Sequence, residues 1–499
     1  MNGTASNERA TLERRTAWWH VSSCRKPRRE MVLAHVSMAV LAGCLMMVHS
    51  AVAQAADSWP GYAPKTFRWD EDYAWLAVRP WPSLEFPLAL KHVALDADGR
   101  LAASFGGEYR IRLDNDERPD FGARGAASFT SKQQRFLAHA DLHMGPDLRV
   151  FVQLGAATEH GREPGPRPAD RSDIDLSQAF VDMGWGEAGE RSRLRLGRQE
   201  IAIGRYVAVR EVTNLRRTFD GVRFDGPIGD WSLSAVAARA TRNRPGAFDD
   251  PADRDDGLLA IVAEHVLPFD MFKGDLAVLQ HDNLGAHYGA GTGVERRRTI
   301  GARAFGNHAG WDMDAQASYQ FGDYTPTGQH PLEISAWGAA FEGGRALDLA
   351  WMPRVAIRVD VASGDSNSHD RHLGTFDLPY PNLAYLSDAG LFAPRNVHDI
   401  QPFVSISPVA GLGLVAGTQF LWRNSTADAV YSPLGTPVVR AGGGRRYVAT
   451  QPYLRVNWQI NPLTTFLAGY VRAIPGGALK EIGGDRRLDY AFASLDLQF

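Results

Sequence analysis

Several separate stretches of this chain alternate apolar and polar residues strictly, and the polar side carries full charges. In EYRIRLD, Tyr109, Ile111 and Leu113 fall on one side and Glu108, Arg110, Arg112 and Asp114 on the other. WDMDAQASYQF sets Trp311, Met313, Ala315, Ala317, Tyr319 and Phe321 against Asp312, Asp314, Gln316, Ser318 and Gln320. RVAIRVDV opposes Val355, Ile357, Val359 and Val361 to Arg354, Arg358 and Asp360. LRVNWQI opposes Leu454, Val456, Trp458 and Ile460 to Arg455, Asn457 and Gln459. A period of two marks strands with one apolar face. Soluble sandwiches share that period, but an enclosed sandwich core does not accept ionised Arg and Asp. A water-filled barrel does. The apolar faces here are rich in small residues, with aromatics near the strand ends (Trp311 and Phe321; Trp458 and Phe466), as a lipid-facing band between aromatic girdles requires. The expected fold class is all-β: a transmembrane antiparallel β-barrel with a polar lumen lined by Arg and Asp.

The two ends of the chain agree with this. The sequence finishes in YAFASLDLQF, with Ala491, Ala493, Leu495, Leu497 and Phe499 on one face of a strand. A barrel closes by pairing its last strand with its first, so a terminal strand is expected where soluble domains have a frayed tail. The terminal aromatic also resembles the carboxy-terminal signal that the outer-membrane assembly machinery of bacteria reads. At the other end, Arg25, Lys26, Arg28 and Arg29 precede an apolar run from Met31 to Val48, and AVAQA follows. Residues 1–55 read as a signal peptide cleaved after Ala55, with LAGC (Leu41 to Cys44) leaving a lipid-anchored alternative. Both cysteines, Cys24 and Cys44, lie in that leader, so the exported chain is expected to hold itself together without disulfides. Beyond it no run of about 18 apolar residues offers a membrane helix.

Residues 56–95 carry Trp59, Trp69, Trp75 and Trp81 among prolines without strand periodicity. They read as a loose leader into the barrel, with a plug at its mouth as the alternative, and residues 96–499 as the barrel. GREPGPRPADRSD (161–173), TRNRPGAFDDPADRDDG (241–257) and ASGDSNSHDRH (362–372) read as polar outward loops, whereas HMGPD and INPLT read as short turns on the periplasmic side. TFDLPYPNLAYLSDAGLFAPRN (375–396) is too long and too apolar for a solvated loop.

DLSQAFVDMGW, LRLGRQEIAIGR and NLRRTFDGVRFDG, between Asp175 and Gly226, resemble the alginate-export family of bacterial outer-membrane porins. KHVALDADGRLAASFGGEYRIR, LGTFDLPYPNLAYLSDAG (373–390) and FLWRNSTADAVYSPLG (420–435) resemble it too, so the likeness runs from about Lys91 to Phe499. The resemblance implies a barrel of about eighteen strands (16–18) whose lumen arginines pass an anionic polysaccharide. It also implies that 375–396 folds into or over the pore.

The residues speak to that chemistry on their own. Lysine stands at only six of 54 basic positions, and the guanidinium fork of arginine pairs with carboxylates better than an ammonium does. Strand parity puts Arg110, Arg112, Arg135, Arg193, Arg195, Arg223, Arg303, Arg354, Arg358 and Arg455 inward, on faces shared with Glu108, Asp114, Asp141, Asp182, Asp225, Asp312, Asp314, Asp360 and Asp496. Arg198, Arg216 and Arg217 complete the candidate pore-lining set. With Arg205 and Arg210 they crowd one region that only Glu200, Glu211, Asp220 and Asp225 offset, which suggests a local positive ring. Arg198 and Glu200 share parity and are expected to pair. They reach the lumen only if a bulge near Gly197 shifts the phase.

Other functions find little support. A formal charge of −3 gives no basic field for nucleic acid. No GxSxG elbow, HExxH helix or phosphate loop occurs, and HDRH (His369 to His372) reads as solvated, so neither metal nor cofactor is expected. The expected protein is a monomeric outer-membrane porin, not an enzyme, passing an anionic saccharide through an arginine-lined pore. An uptake porin for small anionic nutrients, and less directly a barrel enzyme acting on envelope lipids or glycans, are the alternatives.

Overall fold

In the computed structural model, which describes residues 64–78, 86–123, 125–187, 190–267 and 271–499, eighteen antiparallel strands run in chain order around a closed barrel. They are β1 (Leu101–Glu117), β2 (Phe129–Met144), β3 (Leu148–His160), β4 (Ser172–Trp185), β5 (Ser192–Gln199) and β6 (Phe219–Ile228). Next come β7 (Trp231–Thr241), β8 (Ala252–Val266), β9 (Phe272–Tyr288), β10 (Gly291–His308), β11 (Trp311–Pro326) and β12 (Leu332–Ala346). The last are β13 (Arg354–Ala362), β14 (Val397–Val409), β15 (Leu412–Arg423), β16 (Tyr447–Asn461), β17 (Thr464–Pro475) and β18 (Leu488–Gln498). β18 pairs with β1 from Gln498–Glu108 to Asp489–Glu117, which leaves no open edge. The described residues form one compact unit. The expected signal peptide, 1–55, lies outside the described residues.

The alternation sorts the two faces as the sequence requires. Phe136, Leu259, Leu276, Val278, Ile300, Trp337 and Leu454 are exposed on the outside, and Trp311 and Phe321 bracket β11 on that face. Glu108, Arg110, Arg112, Asp114, Arg135, Asp182 and Arg195 are buried on the inside. Turns as short as 145–147, 229–230 and 410–411 lie at one end of the barrel. The opposite end carries 118–128, 161–171, 242–251, 363–396 and 424–446.

The aromatic leader is not loose where it is described. Trp69 is buried, its ring 6.1 Å from that of Phe151 and 5.6 Å from that of Phe180, with the Arg195 guanidinium 4.7 Å away. Arg68 pairs with Glu71 at 2.7 Å and donates to the Phe499 carbonyl at 2.9 Å. Trp69 supplies apolar area that the inward faces of β3 and β4 lack a partner for, so this stretch plugs the short-turn end of the lumen. That corrects the expectation of a leader without fixed contacts.

Phe499 closes the seam through its backbone: its N–H donates to the Gly107 carbonyl at 3.0 Å, and the Gly107 N–H donates to the Phe499 carbonyl at 2.8 Å. Deleting Phe499 removes both bonds, at about 1 kcal/mol each, and the anchor of Arg68. The expected outcome is a smaller heat-modifiable fraction of barrel on gels of outer-membrane extracts, whereas an unchanged fraction would make the terminal strand pairing incidental.

Candidate functional site: the barrel lumen

Two connections from the long-loop end fold back into the barrel. One is 200–218, between β5 and β6; the other is 374–396, between β13 and β14. They meet inside, where Val207 bridges Tyr380, the Ala208 N–H donates to the Tyr380 carbonyl at 2.9 Å, and the Tyr380 N–H donates to the Tyr206 carbonyl at 3.0 Å. The wall is shaped to receive them. A Cβ on Gly338 would sit 2.8 Å from the Phe376 ring, and one on Gly301 would collide with the Tyr206 hydroxyl, which bonds Ser318 at 2.8 Å. Tyr380 donates to Asp256, Tyr385 donates to Asp360 at 2.6 Å, and Asp388 pairs with Arg455. The expected infolding of 375–396 is thus what the structure has. That of 200–218 was not foreseen, although IAIGRYVAV is as apolar as the segment that was. Two lumen cavities between these segments and the wall, one beside Arg205 and Tyr385 and one beside Arg135 and Arg216, measure about 20 Å³ each, room for a water but not a sugar.

Most predicted lumen arginines face inward, and each of those that lies on a strand meets an acid. Arg112 forks onto Asp114 and donates to the Tyr490 hydroxyl at 2.8 Å. Arg195 grips Asp182 at 2.7 and 2.8 Å. Arg193 and Arg223 share Asp225, Arg303 takes Asp314, and Arg354 takes Asp312 and Glu342. Arg358 bonds Asp360 at 2.8 Å, and Arg455 holds Asp388. These pairs hold the wall and the infolded segments together. A bare positive ring does not exist at these positions.

Arg198 is the exception in placement. Register runs unbroken through Gly197 on both of its neighbours, and irregularities lie instead at Gln153–Leu154 and Gly155–Ala157 in the β3–β4 pairing. Arg198 therefore keeps the parity of the membrane-facing Leu196, and it pairs with Asp220 at 2.7 Å and with the Asp250 carbonyl at 2.8 Å. It does not line the pore. Nor does it pair with Glu200, which lies 3.4 Å from Arg216.

Arg110, Arg135 and Arg216 converge with Glu108, Glu200 and Glu211 into one buried cluster. Arg135 donates to Glu108 at 2.7 Å and to Glu211 at 3.1 Å, Arg216 also pairs with Glu211, and Arg110 donates to the carbonyls of Glu211 and Thr213 at 2.7 and 2.8 Å. Two neighbouring arginines of 200–218 escape such neutralisation. Arg210 donates to the Leu215 carbonyl at 3.3 Å and to Asn243 at 2.7 Å. Arg217 lies 4.9 Å from the Tyr380 ring centroid, its Nη1 buried without a hydrogen-bond partner. Neither has a carboxylate within ion-pair distance among the described residues. Burial, together with the nearby Arg217 charge, pushes Arg210 down to about 9, and burial pushes Arg217 down as well. Parity reasoning could not have found Arg210, because it lies on no strand.

A barrel with an apolar outside, a charged inside, short turns at one end and infolded loops at the other is an outer-membrane porin. A family model described as alginate export matches residues 101–494, and the chain belongs to that family. Among solved structures it is similar to OccAB1 of Acinetobacter baumannii, with a TM-score of 0.55 and 12% identity over 80% of this chain and 96% of that one. OccK5 (OpdH) of Pseudomonas aeruginosa gives 0.53 and 10% over 80% and 98%. OccK2 (OpdF) of the same organism, solved in complex with glucuronate, gives 0.50 and 11% over 80% and 96%. At these identities the likeness is one of fold. No curated protein matches the chain in sequence.

Two outcomes follow for the lumen charges. Arg112→Gln strands Asp114 and Tyr490 in a dry interior and should lower stability by about 3–5 kcal/mol. Arg217→Gln orphans no acid and should cost about 1–2 kcal/mol through the lost ring contact. Denaturant midpoints of the refolded barrel test the contrast, which equal losses would refute. For Glu200, burial pushes the carboxyl from 4.5 up to about 7 against the pull of Arg216. Its proton is thus held in the folded state where a solvated glutamate has lost it, so the stability it lends is complete below 4.5 and declines as pH rises toward 7. Glu200→Gln should flatten that part of the midpoint-against-pH curve.

Proposed function

We propose that the lumen passes an anionic, alginate-like saccharide, and that its preference for anions rests on Arg210 and Arg217. The observation that carries this reading is the charge balance just described. Every arginine placed inward by strand parity is matched by an acid, so a passing carboxylate gains most where the infolded segment brings two unmatched guanidinium groups, one of them over the Tyr380 ring. A uronate chain presents a carboxylate on each sugar for the arginines and an apolar sugar face for Tyr380. The neighbour solved with glucuronate shows that a similar barrel accepts a single uronic acid.

The pore is passive, since nothing in an equilibrium barrel gives direction to flow, and export and uptake would use the same lumen. Transit past the points where the infolded segments pack on the wall requires those segments to yield, because the cavities of about 20 Å³ there admit no sugar ring. The hydrogen bonds that hold Tyr380 and Tyr385 to Asp256 and Asp360 are the contacts that would open. A single chain encloses the whole lumen, which supports a monomer as the working unit, and Phe499 at the seam supports the assembly signal.

The test replaces Arg210 and Arg217 together by Gln. At an effective dielectric of about 20, a unit charge at about 4 Å is worth roughly 4 kcal/mol. Losing even a third of that should weaken block by polyuronate oligomers about tenfold and move the reversal potential in asymmetric KCl toward cations. Arg193→Gln with Arg223→Gln should do less, because Asp225 already offsets them. Unchanged selectivity and block in an assembled Arg210/Arg217 variant would remove the proposed basis of anion preference.

A further inference from the structure

The outer wall carries a charged notch that the pore does not use. Toward the long-loop end, adjacent strands bring Asp220, Arg239, Gly257, Asp282, Arg296 and Asp323 into one row, each in register with the next. This row has the outward parity. Further along the same strands and on the same face lie Val222, Leu259, Val278, Ile300 and Phe321, all exposed to the membrane. The row thus stands immediately beyond the apolar band. A Cβ on Gly257 would meet nothing within 4 Å, and the wall is hollowed there into a cavity of about 780 Å³. The exposed Leu259, Leu284 and Val294 line its apolar part.

The notch mixes acids and arginines that are only partly paired, with Asp323 (in register with Arg296) and Arg254 lacking an ion-pair partner among the described residues. Asp220 is held by Arg198 at 2.7 Å, and Asp255, also in its lining, by Arg242 at 3.2 Å. Asp282 meets Arg296 at 3.2 Å, with both side chains exposed, an arrangement too weak to commit either partner. Arg239 has no acid partner among the described residues. Neither has Arg298, two residues from Arg296 on the same face, which donates to Gln280 at 3.2 Å. Arg239 and Arg296 stand three strand spacings apart, ~14 Å at about 4.8 Å each.

A ligand for this surface needs separated anionic groups on a headgroup and acyl chains that continue down the apolar wall. Long loops of outer-membrane barrels face outward, which puts the row at the headgroup level of the outer leaflet. We propose that the notch binds a phosphorylated glycolipid of that leaflet, a lipopolysaccharide. Arg239, Arg296 and Arg298 take its phosphates, and Leu259, with Val278 and Ile300 further along the apolar band, takes the first part of its acyl chains. Forked guanidinium groups suit phosphate, and partial desolvation by lipid strengthens the contact. The site is separate from the lumen and does not depend on what the pore carries.

The experiment titrates purified full-length barrel in neutral detergent with lipopolysaccharide, with the same material after phosphatase treatment, and with millimolar inorganic phosphate as competitor, read by native mass spectrometry. Arg239→Gln with Arg298→Gln should weaken binding of the phosphorylated lipid about tenfold, as should removing the phosphates, and inorganic phosphate should not displace the lipid. Arg239→Gln alone, which breaks no ion pair, should give part of that loss in a barrel of normal heat-modifiable mobility, and covers the case in which the double variant fails to assemble. Equal binding by the variants or by the dephosphorylated lipid would overturn the proposal and leave acyl contact alone. Displacement by inorganic phosphate would overturn it in favour of a free-anion site.

Discussion

Inside a bilayer no water is present to satisfy a backbone N–H or C=O, so every such group that crosses must find its partner within the chain. The rest of this structure follows from that constraint. It forces β18 back onto β1, so the chain ends on a strand and Phe499 is held at the seam. Closure in turn divides each strand between lipid and lumen, and the lumen side then bears charges that must be neutralised as the interior fills. The pairs Arg195–Asp182 and Arg112–Asp114 are both the consequence of a polar lumen and the means by which its filling is tolerated. Removing one partner is therefore far more disruptive than the modest net worth of the pair suggests.

The alternation made the barrel legible because a period of two reports directly which face each residue takes. Pairing was legible only where it is local. Arg112–Asp114, Arg223–Asp225 and Arg358–Asp360 are two residues apart on one face and can be read from the chain. Arg195–Asp182, Arg303–Asp314 and Arg354–Asp312 join different strands and depend on register, which composition does not reveal. Arg198 was misplaced for the same reason: Gly197 looked like a place for a bulge, yet pairing passes through it unbroken.

The infolded segments were half legible. A long apolar stretch between strands has no place in water, which marked 375–396 as no solvated loop, and the family resemblance sent it inward. The same exclusion from water applied to IAIGRYVAV, where the nearby GRQE and FDGVR motifs drew attention to strand residues instead. The two unmatched arginines, Arg210 and Arg217, follow that stretch, and their lack of acid partners depends on contacts that the chain order does not reveal. Trp69 was hidden differently, since its partners Phe151 and Phe180 come from inward positions on strands whose neighbours are polar.

The account centres on the two infolded segments as the element that sets the bore of the lumen. Phe376 and Asn396 both donate backbone N–H groups to the Ser363 carbonyl, so the ends of the second segment lie close together and residues 376–394 can be replaced by a short Gly-Ser link without straining the wall. Single-channel conductance of that variant against the intact chain is the most direct measurement. The account predicts a small or intermittent current for the intact protein and a stable current several-fold larger for the shortened one. Equal conductance in two fully assembled barrels would contradict it and place the constriction elsewhere.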